Sequence, residues 1–79
     1  MQIQVLLFGI TRDIVGQNQL KISMDEEATT DELKELLHQK YPKLASYKYA
    51  LAVNETYANE ILRLNENDTV ALIPPVSGG

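Results

Sequence analysis

The chain has 79 residues, 11 acidic against 7 basic side chains, and a formal net charge of −4. That length suits one domain with a thin margin of stability, and the absence of cysteine excludes disulfides, thiolate metal sites and a cysteine nucleophile. The basic residues are scattered, which argues against nucleic acid or an acidic membrane surface as partner and favours partners with a basic groove; with His38 as the single histidine, no metal site is expected.

Residues 2–8 read QIQVLLF. Ile3, Val5 and Leu7 share one face of an extended segment, while the other passes from Gln2 and Gln4 to Leu6 and Phe8, the pattern of a strand entering a packed sheet. This start lacks the basic residues and the length of a secretory leader. No apolar run reaches the roughly 20 residues of a spanning helix, so the cytoplasm is the expected location. Gly16, Gln17 and Asn18 signal a loop, with a short helical turn over Arg12–Val15 before it. Leu20, Ile22 and Met24 then alternate with Lys21 and Ser23, a half-buried strand. An antiparallel pair with the first strand is expected, because a parallel pair needs a full crossover.

Thr29 and Glu32 have capping-box spacing, and Leu33, Leu36 and Leu37 follow at helical spacing. Acids in the first turns and Lys40 in the last suit the helix dipole. Pro42 disfavours helical geometry at Tyr41, so a helix over Thr30–Lys40 is predicted. Beyond a connector, Tyr49–Val53 reads as a strand, Asn54-Glu55 as a turn and Thr56-Tyr57 as a short return strand. Thr69–Ile73, TVALI, suits a buried central strand, which Pro74 and Pro75 end. Periodicity supports an α+β fold with one main helix covering a mixed sheet of four to five strands. The order, with the last strand buried beside the first, is similar to the ubiquitin-like β-grasp. Residues 1–75 form that domain, and 76–79 an extended tail.

The chain finishes Pro74-Pro75-Val76-Ser77-Gly78-Gly79. Two prolines favour a stiff, extended backbone that projects the last residues away from the domain. Two glycines fit a channel that would clash with any Cβ. The expected reactive group is the α-carboxylate of Gly79. Threaded to a nucleotide, it attacks the α-phosphate, and the acyl-adenylate formed is open to a sulfur donor or another nucleophile.

The stretch from Phe8 through Arg12-Asp13 to Gly16, Ala52-Val53-Asn54, the segment from Asp68 to Ala71, and the Pro-Pro-Val-Ser-Gly-Gly ending together resemble the small, sulfur-carrier subunit of molybdopterin synthase over nearly the whole chain. The resemblance implies a β-grasp protein whose C-terminal glycine, Gly79, is adenylated by an ATP-dependent, E1-like adenylating enzyme and receives sulfur from a donor protein. The thiocarboxylated tail then enters the large catalytic subunit, in a heterotetramer of two small and two large subunits. There it delivers sulfur to cyclic pyranopterin monophosphate to build the molybdopterin dithiolene of the molybdenum cofactor. Such a subunit is a sulfur-donating co-substrate, with ATP used by the activating enzyme and no cofactor of its own. On the same match Gly78 supplies the slim approach, and Val76 and Ser77 line the tail in the partner's channel. Tyr57 and Ile73 stand where the family places apolar contacts to the large subunit or the activating enzyme, Ile73 having packed core as its other reading. Arg12 matches the family's arginine, which either bonds an acidic patch or holds its own loop. A ubiquitin-like modifier joined to lysines through Gly79, a sulfur carrier for the thiazole of thiamine, and a plain interaction domain are the rival functions.

Other constellations carry less. Glu26 with Glu27, and Glu32 with Glu35, lie on a joint and on a helix's polar side, where solvation rather than acid–base catalysis is expected. Tyr41, Tyr47, Tyr49 and Tyr57 read as core and edge packing, with no interleaved basic residues to suit single-stranded nucleic acid. His38, near the helix end, reads as an exposed or half-exposed helix residue rather than a titrating switch.

Overall fold

The computed structural model describes residues 1–75. The elements in chain order are β1 (Gln2–Leu7), α1 (Gly9–Val15), β2 (Gln19–Ser23), α2 (Thr30–Lys40), a 3₁₀ turn (Pro42–Ser46), β3 (Ala50–Val53), β4 (Thr56–Tyr57) and β5 (Thr69–Ile73). They form one five-stranded sheet in the order β2-β1-β5-β3-β4. β1 runs antiparallel to β2 and parallel to β5, which lies antiparallel to β3. The expected layout, with the last strand in the middle of a mixed sheet, is the one found.

Ile3, Val5 and Leu7 of β1 and Val70 and Leu72 of β5 point to the same face and are fully buried or nearly so. Leu33 and Leu37 of α2 meet them, with Leu44 of the 3₁₀ turn and Leu64. α2 starts where its capping box predicts: the Glu32 amide donates to Thr29 Oγ1 at 3.3 Å, and the Thr29 amide donates to Glu32 Oε1 at 3.3 Å. The connector after α2 is more ordered than its sequence suggests. Pro42, unable to continue an α-helix, sits at the start of the 3₁₀ turn, which drives Leu44 into the core.

Several boundaries differ from expectation, among them β2, which spans Gln19–Ser23 rather than Leu20–Met24. β1 ends at Leu7, and β3 begins at Ala50 rather than Tyr49. α1 begins at Gly9, a full turn earlier than Arg12. The reason is Thr11, which is completely buried. Its Oγ1 donates to the Phe8 carbonyl at 2.6 Å and accepts from the Phe8 amide at 3.0 Å, closing a turn that periodicity does not reveal. Gly16 closes the other end at φ 83°, its amide donating to the Arg12 carbonyl at 2.7 Å.

The β3–β4 hairpin turns on Asn54 and Glu55, both at positive φ (49° and 70°), the geometry that matches strand twist in a two-residue loop. Asn54 also holds the hairpin to β5. Its amide group donates to Asp68 Oδ1 at 2.9 Å, and its Oδ1 accepts from the Thr69 amide at 3.0 Å. Among the described residues, no helix is long and apolar enough to cross a membrane.

Candidate functional site

β5 is the central strand, and its alternation divides two functions. Val70 and Leu72 enter the core, whereas Thr69, Ala71 and Ile73 face the opposite side of the sheet. The register places Ala50 opposite Ile73, Ala52 opposite Ala71, and Tyr57 opposite Ala52. On the other flank Leu6 lies beside Ala71. Phe8 keeps an extended backbone (φ −133°, ψ 152°), so alternation carries it to the face of Leu6 and Ile73. That face bears an apolar band running from Phe8 and Leu6 across Ala71 and Ile73 to Ala50, Ala52 and Tyr57. Phe8 and Tyr57 are 48% and 59% exposed, so the band presents large apolar side chains together with the half-buried ones between them.

The tail leaves from this band. Ile73, Pro74 and Pro75, with Tyr57, Ala50 and Lys48, border a shallow groove of about 350 Å³. Pro74 rests against the start of α1: a Cβ built on Gly9 would come within 3.2 Å of Pro74 Cγ. Gly9 also holds φ 53°, a left-handed value that favours glycine. Buried Thr11 stands close to the same exit, its hydroxyl 3.4 Å from the Leu72 carbonyl. We expect Gly9→Val to cost about 1–2 kcal/mol for the left-handed backbone alone and to push Pro74 aside. Urea unfolding checks the first effect, and the Pro74 ring resonances check the second.

Tyr49 borders the groove from the rim of the core. Its hydroxyl pairs with His38 Nε2 at 2.6 Å, the rings meet edge to face, and Lys34 Nζ lies 5.6 Å from the Tyr49 ring centroid. His38 therefore has a partner that its sequence position did not disclose. Burial pushes the Tyr49 phenol from 10.0 up to about 12. The folded state thus holds this proton more tightly than the unfolded chain. Its stabilisation is fully present below pH 10 and is lost as pH rises through 12. A fall in stability between those values that is steeper in the native chain than in Tyr49→Phe, followed by urea titration, is the expected result.

The sequence-predicted residues are distributed as follows. Tyr57 and Ile73 come together on one groove, Tyr57 exposed and Ile73 half-buried. Ile73 is not among the core residues, which occupy the other face. Arg12 is not brought to that groove. It lies on α1, its exposed guanidinium 3.9 Å from Asp13, and the α1 end is held by the Arg12 backbone carbonyl rather than its side chain. Val76, Ser77, Gly78 and Gly79 lie outside the described residues. Sequence reasoning passed over Phe8, Gly9 and Thr11 as contributors. Phe8 was legible as apolar, but its place beside the tail depends on the parallel β1–β5 register, which pairs Leu7 with Leu72. Among the described residues, no three His, Asp or Glu side chains converge to hold a metal ion.

The sequence pattern of the ThiS family matches residues 5–79 of this chain. The molybdopterin synthase sulfur carrier subunit of Dictyostelium discoideum is 35% identical over 83 residues, covering 99% of this chain and 96% of that protein. Among solved structures, SAMP1 from Haloferax volcanii superposes with a TM-score of 0.88 at 24% identity, each chain covered completely, a likeness of fold. A chain in the complex of subunits 1 and 2 of the molybdopterin-converting factor from Helicobacter pylori superposes with a TM-score of 0.73 at 26% identity, again with both chains fully covered.

Proposed function

The chain belongs to the ThiS family and, within it, to the molybdopterin synthase sulfur carrier subunits, and on that premise we propose that it carries sulfur as a thiocarboxylate on Gly79. The observation that supports this most is the route of β5. The central strand of the sheet runs out through Ile73 into Pro74-Pro75 at an apolar band on the face opposite the core. A partner docked on that band receives the tail at a defined place and angle, which is the requirement for threading four residues into a distant active site.

The chemistry is that of the carboxylate. In the E1-like enzyme a Gly79 carboxylate oxygen attacks the α-phosphorus of ATP, and pyrophosphate leaves. A persulfide sulfur of the donor then displaces AMP from the acyl carbon, and a thiol cleaves the S–S bond of the acyl disulfide so formed, giving a disulfide and leaving the thiocarboxylate. In the large subunit that sulfur displaces an oxygen substituent from a carbon of the pyranopterin precursor, and water cleaves the acyl–sulfur bond to restore the carboxylate. Gly78 permits a channel too narrow for a Cβ, while Val76 and Ser77 fill its mouth. Phe8, Tyr57 and Ile73 supply the apolar contact that holds the large subunit, and the acidic balance of the chain, −4 overall, speeds encounter with a basic partner.

Intact-mass measurement tests the proposal directly. The protein is incubated with ATP, a sulfur donor and the activating enzyme, and the expected product shows one oxygen replaced by sulfur, localised to Gly79 by fragmentation. An unmodified carboxylate under those conditions sinks sulfur carriage. Reductant-resistant adducts to lysine side chains, formed instead of the thiocarboxylate, assign the tail to protein modification.

A further inference from the structure

The edge of the sheet remote from the tail is open. β2 has a single neighbour, β1, and the hydrogen bonds at both ends of that pair define which way each backbone group points. Met1 and Met24 exchange two bonds, at 2.8 and 2.6 Å, and the Leu7 amide donates to the Asn18 carbonyl at 2.9 Å. In an antiparallel ladder such bonded pairs alternate with unbonded ones. Ile22 and Leu20 therefore bond to β1, and the amides and carbonyls of Gln19, Lys21 and Ser23 point outward, where no strand among the described residues meets them.

Beside this edge, β2 and α2 leave a groove of about 400 Å³. Met24, Ala28 and Leu36 give it an apolar floor, and Leu36, like Leu20, is only half-buried. Asp25, Glu32 and Glu35 also line it, and no lysine or arginine does. Lys21, the cation of β2 that would discourage strand addition at an edge, alternates to the opposite face, level with Gln4.

We propose that this edge is a second docking site, which accepts an extended segment of a partner protein as an added strand. Outward backbone groups spaced two residues apart are the template for such addition, and the groove receives alternate side chains of the incoming segment. Charge selects the occupant: apolar residues for the floor, flanked by lysine or arginine for the three carboxylates. A second copy of this chain does not fit, because it brings a net charge of −4 to an acidic groove. The tail does not fit either, since Val76 to Gly79 carry no cation. The site lies on the opposite sheet edge from β4, so a partner held there leaves the tail free to react.

The test uses the full-length, isotope-labelled protein and a capped peptide, Lys-Lys-Val-Thr-Val-Ile-Val-Lys-Lys, followed by amide hydrogen exchange. The expected result is that saturating peptide slows exchange at the Lys21 and Ser23 amides by roughly tenfold or more, as sheet hydrogen bonds do, and shifts the Leu36 methyl resonances. Reversing one charge with Glu35→Lys weakens peptide binding by about threefold, the scale of an exposed ion pair. Lys21→Pro removes an amide that bonds to nothing in the free sheet, a position where proline is tolerated. It abolishes peptide binding while thermal unfolding and Gly79 thiocarboxylation stay unchanged. The proposal is overturned if exchange at those amides is unaffected by the peptide, or if a peptide with glutamate in place of lysine binds as well. Slowing that depends on protein concentration without peptide also overturns it, because the edge then pairs with itself.

Discussion

Adding one residue after Gly79 lowers sulfur transfer by roughly 10²-fold or more and leaves the urea unfolding curve of the domain where it was. The two halves of this result have separate causes. The fold is closed by β5, whose last core side chain among the described residues is Leu72. On the proposed mechanism the chemistry, by contrast, resides in one carboxylate, whose oxygen must reach the α-phosphorus and whose carbon must then reach a sulfur nucleophile. An extra residue moves that carboxylate by up to about 3.5 Å, and displacement of even about 1 Å costs on the order of 10²-fold in rate. Gly78→Phe has the same outcome by a different route, since on the proposed mechanism the tail enters a channel too narrow for a ring. The check is a thiocarboxylation assay by mass beside a chemical unfolding curve for each variant. Normal transfer by the extended chain would falsify the mechanism.

Leu72→Ala and Tyr57→Ala separate folding from recognition. Leu72 is fully buried among Leu7, Leu33 and Leu37, and its truncation costs about 2–5 kcal/mol through lost burial and the cavity left behind. A domain of this size has only about 5–15 kcal/mol in total, and sits near the lower end, so a large share of its stability goes. Tyr57, on the two-residue β4, is 59% exposed, and its truncation changes stability by about 0.5 kcal/mol or less. Its expected cost lies in the complex. A tyrosine buried at the centre of an interface contributes about 2 kcal/mol or more, roughly a 30-fold loss of affinity for the large subunit. Urea unfolding and calorimetric titration with that subunit measure the two effects. Loss of stability without loss of affinity in Tyr57→Ala would remove the apolar band from the docking surface.

Much of this was legible before any coordinates. The Thr29–Glu32 cap, the leucine stripe behind it and Pro42 are local signals, because a helix is closed by hydrogen bonds within a few residues. The TVALI run of β5 reads as a central strand since both of its faces are apolar, and the Asn54-Glu55 turn follows from the few residues that tolerate positive φ. Less was legible at Phe8 and Gly9. Phe8 follows the alternation of β1, and only the position of its neighbours decides whether that side chain enters the core or stays in the open. Gly9 reads as a turn residue, but its contact with Pro74 joins positions 65 apart in the chain. No periodicity reports such a pair.

The same division runs through the site. Composition excluded cysteine chemistry and thiolate metal sites, and the Pro-Pro-Val-Ser-Gly-Gly ending pointed to a projecting tail with a reactive carboxylate, since proline stiffness and the missing Cβ of glycine are properties of the residues themselves. Tertiary structure alone decided what stands around the tail's base. Tyr57 and Ile73 share a groove because β3 lies between β4 and β5, and Arg12 is absent from it because α1 carries that side chain elsewhere. It also decided that His38 bonds Tyr49 and that one edge of β2 is left open. These are consequences of strand order and register, which depend on contacts between distant segments, whereas the helix, the turns and the tail are written in neighbouring residues.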